Sequence, residues 1–146
     1  MKVYIDTNVF IYSMFADPRI GPHCKRLIDE VEQGRIHGVV SQLVPIEVLS
    51  VAIERNPSKA ETALAAIYSL PLMFVGIDQP LLMAAARIAR RYKLTGYDAT
   101  HVAAALLSKT DVLVSNDQAL KRVKEIRVVK PGERSTDRSE GTSPKE

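Results

Sequence analysis

Three short stretches of this chain each place an acid where a strand would hand over to a helix: Val3-Tyr4-Ile5-Asp6-Thr7-Asn8, Thr95-Gly96-Tyr97-Asp98-Ala99-Thr100-His101 and Val112-Leu113-Val114-Ser115-Asn116-Asp117. If the strands run parallel, their carboxyl ends share the edge at which open α/β sheets bind ligands. Carboxylates gathered there, with no Arg or Lys close by in sequence, repel one another unless a divalent cation neutralises them. The pattern predicts a metal-dependent phosphodiesterase.

Alternation of strands and helices predicts a parallel sheet covered on both faces. Strands are expected at 3–5, 39–40, 72–75, 112–115 and 128–129. Apolar periodicity puts helices at 8–15, 22–33, 41–54, 78–92, 98–108 and 118–124, with another following Asn56-Pro57. Pro45 is tolerable only in a first turn. Asp78 is expected to cap a helix whose Leu82, Ala85, Ala86 and Ala89 face the core, and whose basic end (Arg87, Arg90, Arg91, Lys93) suits either the helix dipole or a nucleic acid.

Each acid also has an ordinary structural reading. Asp6 fits an N-cap, Thr95-x-x-Asp98 and Ser115-x-x-Gln118 fit capping boxes, and Glu47, Ser50 and Glu54 fit a solvated helical stripe. The ordered set is what points to a metal site, and hard oxygen ligands without a His-Cys set select Mg²⁺ or Mn²⁺ over Zn²⁺. A phosphatase with an Asp nucleophile would want Asp-x-Asp-x-Thr, and Asn8 stands two positions after Asp6. His23, His37 and His101 raise a metal-free route through the RNA 2′-hydroxyl, which the acidic set disfavours.

The length of 146 residues suits one domain, and the net charge of +3 suits an acidic partner without requiring one. No apolar run reaches a membrane span and no signal-peptide pattern opens the chain, so a cytoplasmic location without membrane contact is expected. Cys24, the single cysteine, is expected to be a buried structural thiol. Residues 133–146 lack large apolar side chains and are expected to be a disordered polar tail after a domain spanning 1–132.

The set Asp6-Thr7-Asn8, Glu47, Asp98-Ala99-Thr100-His101 and Ser115-Asn116-Asp117 resembles the PIN domain family, and within it the VapC-type toxin ribonucleases, over about Met1 to Gly132. The resemblance implies a three-layer α/β/α fold with a central, mainly parallel sheet. It further implies that Asp6, Glu47, Asp98 and Asp117 form a catalytic, metal-binding pocket for Mg²⁺ or Mn²⁺, with Thr7, Asn8, Ser115 and Asn116 orienting carboxylates or touching phosphate. The implied function is endonucleolytic cleavage of single-stranded RNA, leaving a 5′-phosphate and a 3′-hydroxyl, by the toxin of a type II toxin-antitoxin pair. A homodimer and an inhibitory antitoxin are the implied protein partners. An RNA-processing nuclease without an antitoxin, and a catalytically inactive RNA-binding or assembly module of the same fold, are the alternatives. Tyr12, Phe15, Tyr92 and Tyr97 are candidates for stacking on bases.

Overall fold

The computed structural model describes residues 1–133, so the predicted tail from 134 onward lies outside the described residues. Five short strands form one parallel sheet in the order β3-β2-β1-β4-β5: β1 (Lys2–Ile5), β2 (His37–Ser41), β3 (Met73–Val75), β4 (Val112–Val114) and β5 (Arg127–Val129). Register is set by pairs such as Tyr4 with Val39 and Tyr4 with Leu113. Every strand pair is parallel, so each connection crosses over one face of the sheet.

The period-two alternation of β1 divides the core. Val3 and Ile5 pack with Val9 and Phe10 of α1 (Thr7–Met14), Cys24 and Val31 of α2 (Gly21–Glu32), Val44 and Val48 of α3 (Leu43–Arg55), and Ile67 of α4 (Ala60–Tyr68). Tyr4 points the other way, into Leu81, Ala85 and Ile88 of α5 (Gln79–Tyr92) and the alanines of α6 (Gly96–Leu107). Burying a side chain such as Phe10 or Ile67 contributes about 1.5–3 kcal/mol, and the two apolar layers together hold the α/β/α sandwich. Alanine dominates the inner face of α6, where Ala99, Ala103, Ala104 and Ala105 are buried, so this helix lies close against the sheet. Cys24 is buried among these apolar neighbours, and burial pushes its thiol up to about 11, as suits a structural cysteine.

Three local expectations are corrected. The inward face of α5 carries Leu81, Ala85 and Ile88, while Leu82 is 49% exposed, because a stripe with two large apolar side chains buries more surface than one with Leu82 and three alanines. Asp98 does not follow a strand: α5 ends at Lys93 in the left-handed conformation (φ 56°), and Thr95 restarts the chain as α6. The helix expected at 118–124 is a 3-10 turn over Gln118–Arg122 capped by Asp117, and the hydroxyl of Ser115 is used elsewhere.

Strand order changes direction at β1: the chain steps outward to β2 and β3, then returns to the other side of β1 for β4 and β5. The carboxyl ends of β1 and β4 therefore flank the crevice in which such sheets hold ligands. Asp6 follows one strand and Ser115-Asn116-Asp117 the other. Among the described residues, no helix is long and apolar enough to cross a membrane.

Candidate active site

Asp6 is both a cap and a pocket residue. Its Oδ1 accepts the Thr7 N–H at 2.8 Å, satisfying a free donor at the start of α1. Its Oδ2 accepts from Ser115 Oγ at 2.6 Å and from Asn8 Nδ2 at 3.2 Å. Ser115 Oγ also accepts the Asp117 N–H at 2.9 Å, and Asp117 caps its own turn through the Ala119 N–H at 2.9 Å. One serine hydroxyl thus ties the end of β1 to the loop after β4.

Asp98 arrives from the opposite layer. Thr95 Oγ1 accepts the Asp98 N–H at 3.1 Å, and this fixes the first turn of α6. Burial raises the Asp98 carboxyl to about 6, reinforced by the charges of Asp117 and then Asp6 and by a hydrogen bond with Asp117. The neighbouring acids thus oppose ionisation of Asp98 in the metal-free protein, the behaviour expected of a carboxyl pressed against like charge.

Glu47 joins from α3. Its Oε1 accepts from Thr7 Oγ1 at 2.5 Å and from His101 Nε2 at 2.8 Å. Burial pushes this carboxyl upward, but the His101 and Thr7 hydrogen bonds outweigh it and hold the group below the usual range. His101 is buried, with Nδ1 2.8 Å from the Tyr4 hydroxyl and Nε2 3.6 Å from Asp6 Oδ1. Burial alone would discharge the ring; the hydrogen bond to Glu47 and the charge of Asp6 reverse this and raise its pKa.

These groups line a cavity of about 470 Å³ with an acidic wall of Asp6, Glu47, Asp98 and Asp117 and an apolar wall that includes Ile11, Ile46 and Val51. Tyr97, 65% exposed, stands at the rim. The remaining aromatic candidates are turned to other uses: the Tyr92 hydroxyl donates to Glu125 and Arg55 lies over the Phe15 ring. Tyr12 lines a neighbouring hollow, and the Asn116 side chain reaches its hydroxyl at 3.4 Å. Asn116 meets the site only through its backbone, donating its N–H to Asn8 Oδ1 at 3.3 Å.

Sequence reasoning brought Asp6, Glu47, Asp98, Asp117, Thr7, Asn8 and Ser115 to this place and missed Tyr4 and Ser41. An isolated tyrosine inside an apolar strand signals only that its hydroxyl will need a partner.

Among the described residues no three His, Cys, Asp or Glu side chains form a ready-made ligand cage. An ion here would take one or two carboxylates and keep water for its remaining positions, the ordinary mode of Mg²⁺. The raised Asp98 carboxyl among acidic neighbours is a sign that this donor set fits a hard cation: negative charge is already in excess, and a cation would favour the ionised form.

The PIN domain family model matches residues 3–126. Among solved structures, the chain is similar to VapBC2 from Rickettsia felis bound to a promoter DNA fragment, with TM-score 0.71 at 13% identity over 89% of this chain and 98% of that one. VapC20 from Mycobacterium tuberculosis, a sarcin-ricin loop cleaving toxin, aligns with TM-score 0.68 at 20% identity over 86% and 98%. VapBC-1 from nontypeable Haemophilus influenzae gives 0.67 at 17% over 90% and 99%. A search of curated protein sequences gives no significant match. At these identities the structural likeness establishes the fold, and the sequence match over most of the chain establishes kinship: the chain belongs to the PIN domain family.

Proposed function

We propose that this chain is a Mg²⁺- or Mn²⁺-dependent endoribonuclease that cuts single-stranded RNA, and that it is the cytoplasmic toxin of a type II toxin-antitoxin pair. The observation that carries the chemistry is the meeting of Asp6, Asp98 and Asp117 at the switch point of the sheet, with the Asp98 carboxyl raised to about 6 by burial and by its acidic neighbours. Support for the biological role comes from the similarity to the VapBC structures and to a toxin-antitoxin complex from Klebsiella pneumoniae. A homodimer and a cognate antitoxin belong to the same reading.

One or two of the carboxylates of Asp6, Glu47, Asp98 and Asp117, which line the same cavity, would hold the ion, and water would complete its shell. When bound, it would supply a water of lowered pKa and stabilise negative charge on phosphate. Ser115 and Asn8 hold Asp6 in one rotamer through their hydrogen bonds to Oδ2. Thr7 does the same for Glu47 through Oε1, which leaves Oε2 to orient a water or a ribose hydroxyl. The apolar wall excludes solvent on one side, and Tyr97 offers a ring to a base.

The test is cleavage of labelled single-stranded RNA by the purified chain with Mg²⁺, with Mn²⁺ and with excess chelator. Cutting that requires metal, leaves 5′-phosphate ends and disappears in Asp98→Asn supports the reading. Cutting in chelator, or products ending in a 2′,3′-cyclic phosphate, refutes it. Co-purification with the small protein encoded by an adjacent gene tests the antitoxin.

A further inference from the structure

Behind the acids runs a buried polar chain that the cleavage chemistry does not itself require. Tyr4 on β1, Ser41 at the end of β2 and His101 on α6 have relative exposures of 0%, 0% and 1%. The Tyr4 hydroxyl lies 2.8 Å from His101 Nδ1 and 3.0 Å from Ser41 Oγ, and accepts the Ser41 N–H at 3.1 Å. Ser41 Oγ accepts the Leu43 N–H at 3.2 Å, at the start of the helix that carries Glu47. At the other end His101 Nε2 meets Glu47 Oε1 at 2.8 Å.

The side chains of His101 and Glu47 are 2% and 28% exposed, so the chain begins in the core and emerges at the pocket through one carboxylate. Both donors converge on Oε1; among the described residues Oε2 has no hydrogen-bond partner. The same imidazole stands 3.6 Å from Asp6 Oδ1, so it spaces the acid of α3 from the acid after β1. Phenylalanine and leucine would fill this space without desolvating a phenol and an imidazole, so cohesion alone does not account for the polar groups. Orientation does: a glutamate with free torsions is reduced to one placement by groups that are themselves locked by packing.

We propose that Tyr4 and His101 are positioning residues that fix the Glu47 carboxylate, Tyr4 being held by Ser41, so that Oε2 is presented to the cavity in a single orientation. The consequence for RNA cleavage rests on the nuclease reading; the relay itself does not.

The test uses the full chain with Tyr4→Phe, His101→Gln and His101→Asn. The glutamine amide nitrogen can stand in for Nε2 and reach Glu47, whereas the asparagine nitrogen stands in for Nδ1 and cannot. Without metal or RNA, the wild type should give a solvent-protected His101 Nε2–H resonance in ¹⁵N-edited NMR, and Tyr4→Phe should exchange it rapidly. Mn²⁺ affinity, read by electron paramagnetic resonance, or kcat on RNA should fall about 10- to 100-fold in Tyr4→Phe with KM unchanged. His101→Gln should keep most of the wild-type kcat and His101→Asn should not.

A Tyr4→Phe protein with wild-type kcat, Mn²⁺ affinity and Nε2–H protection overturns the proposal, as does equal loss in the glutamine and asparagine variants that tracks their melting temperatures. If the wild type cuts no RNA, the ribonuclease reading fails separately. The protected Nε2–H then decides: its loss in Tyr4→Phe sustains the relay, and its persistence overturns it.

Discussion

Ser115 Oγ donates to Asp6 Oδ2 at 2.6 Å across 109 positions of sequence, and the same oxygen accepts the Asp117 N–H at 2.9 Å. This hydroxyl is buried, so water cannot replace it without rearrangement. Ser115→Ala should cost about 1–3 kcal/mol of stability, because it leaves a backbone donor without its acceptor and removes a donor from a carboxylate. Ser115→Thr keeps the hydroxyl and should recover most of the loss. Urea denaturation checks both; an alanine variant with an unchanged midpoint would contradict the bridging role.

Asp98 predicts a pH dependence of known sign. Its folded pKa of about 6 lies above the ordinary carboxylate value, so the folded chain binds more protons than the unfolded one between about pH 4 and pH 6. The contribution is most favourable below that window and is lost as pH rises through 6. Metal-free wild type should therefore gain stability relative to Asp98→Asn as pH falls from 7 to 4, and Asp98→Asn should be the more stable at pH 7. The Asp98 charge also helps to raise the pKa of His101, so the difference reports Asp98 together with its effect on that ring, and both act in the same direction. Parallel stability curves for the two would contradict a raised Asp98 pKa.

Asp6→Asn should abolish cutting while also destabilising the metal-free protein by about 1 kcal/mol. The reason is geometric: both carboxylate oxygens receive donors, from Thr7 N, Ser115 Oγ and Asn8 Nδ2, and an amide nitrogen must replace one acceptor with another donor. Thermal melting in chelator checks this. An apo protein stabilised by the substitution would mean that relief of charge repulsion outweighs the lost acceptor.

Magnesium should stabilise the folded chain by about 2.7 kcal/mol at a free concentration of about 100 times its dissociation constant, provided the unfolded chain does not bind it. Asp98→Asn and Asp117→Asn should each reduce this shift, while Glu54→Gln, on an exposed face of α3, should leave it unchanged. Equal shifts in all the variants would place the ion elsewhere.

Tyr97→Ala should raise KM for RNA without changing the melting temperature. Its ring is exposed beside Asp98, and base stacking on such a ring is worth about 1–3 kcal/mol, so a KM increase of about tenfold is expected. No change in KM would assign the ring another role.

Residues 1–133 illustrate which kinds of information are local. Strand-helix alternation, the Asp78 and Thr95 caps and the first-turn Pro45 are set within a few residues, and they were readable as they stand. Which stripe of α5 faces inward was not, because two overlapping apolar stripes compete and only contact with the sheet and α6 selects Leu81 and Ile88. Asp6, Asp98 and Asp117 could be named as a set from their order along the chain, yet each also fits a cap, and the structure makes Asp6 and Asp117 both caps and pocket residues.

The sequence by itself determined the alternating architecture and the inventory of acids, because periodicity and capping are short-range properties of the backbone. Tertiary structure alone decided that Ser115 would grip Asp6 instead of capping Gln118, that Asp98 would be buried beside the charges of Asp117 and Asp6, and that Tyr4 would meet His101, whose other nitrogen meets Glu47. The physical reason is that a hydrogen bond or a desolvated charge depends on distance and burial in space, and residues 97 or 109 positions apart acquire both only when the parallel sheet brings β1 beside β4 and lays α6 across them.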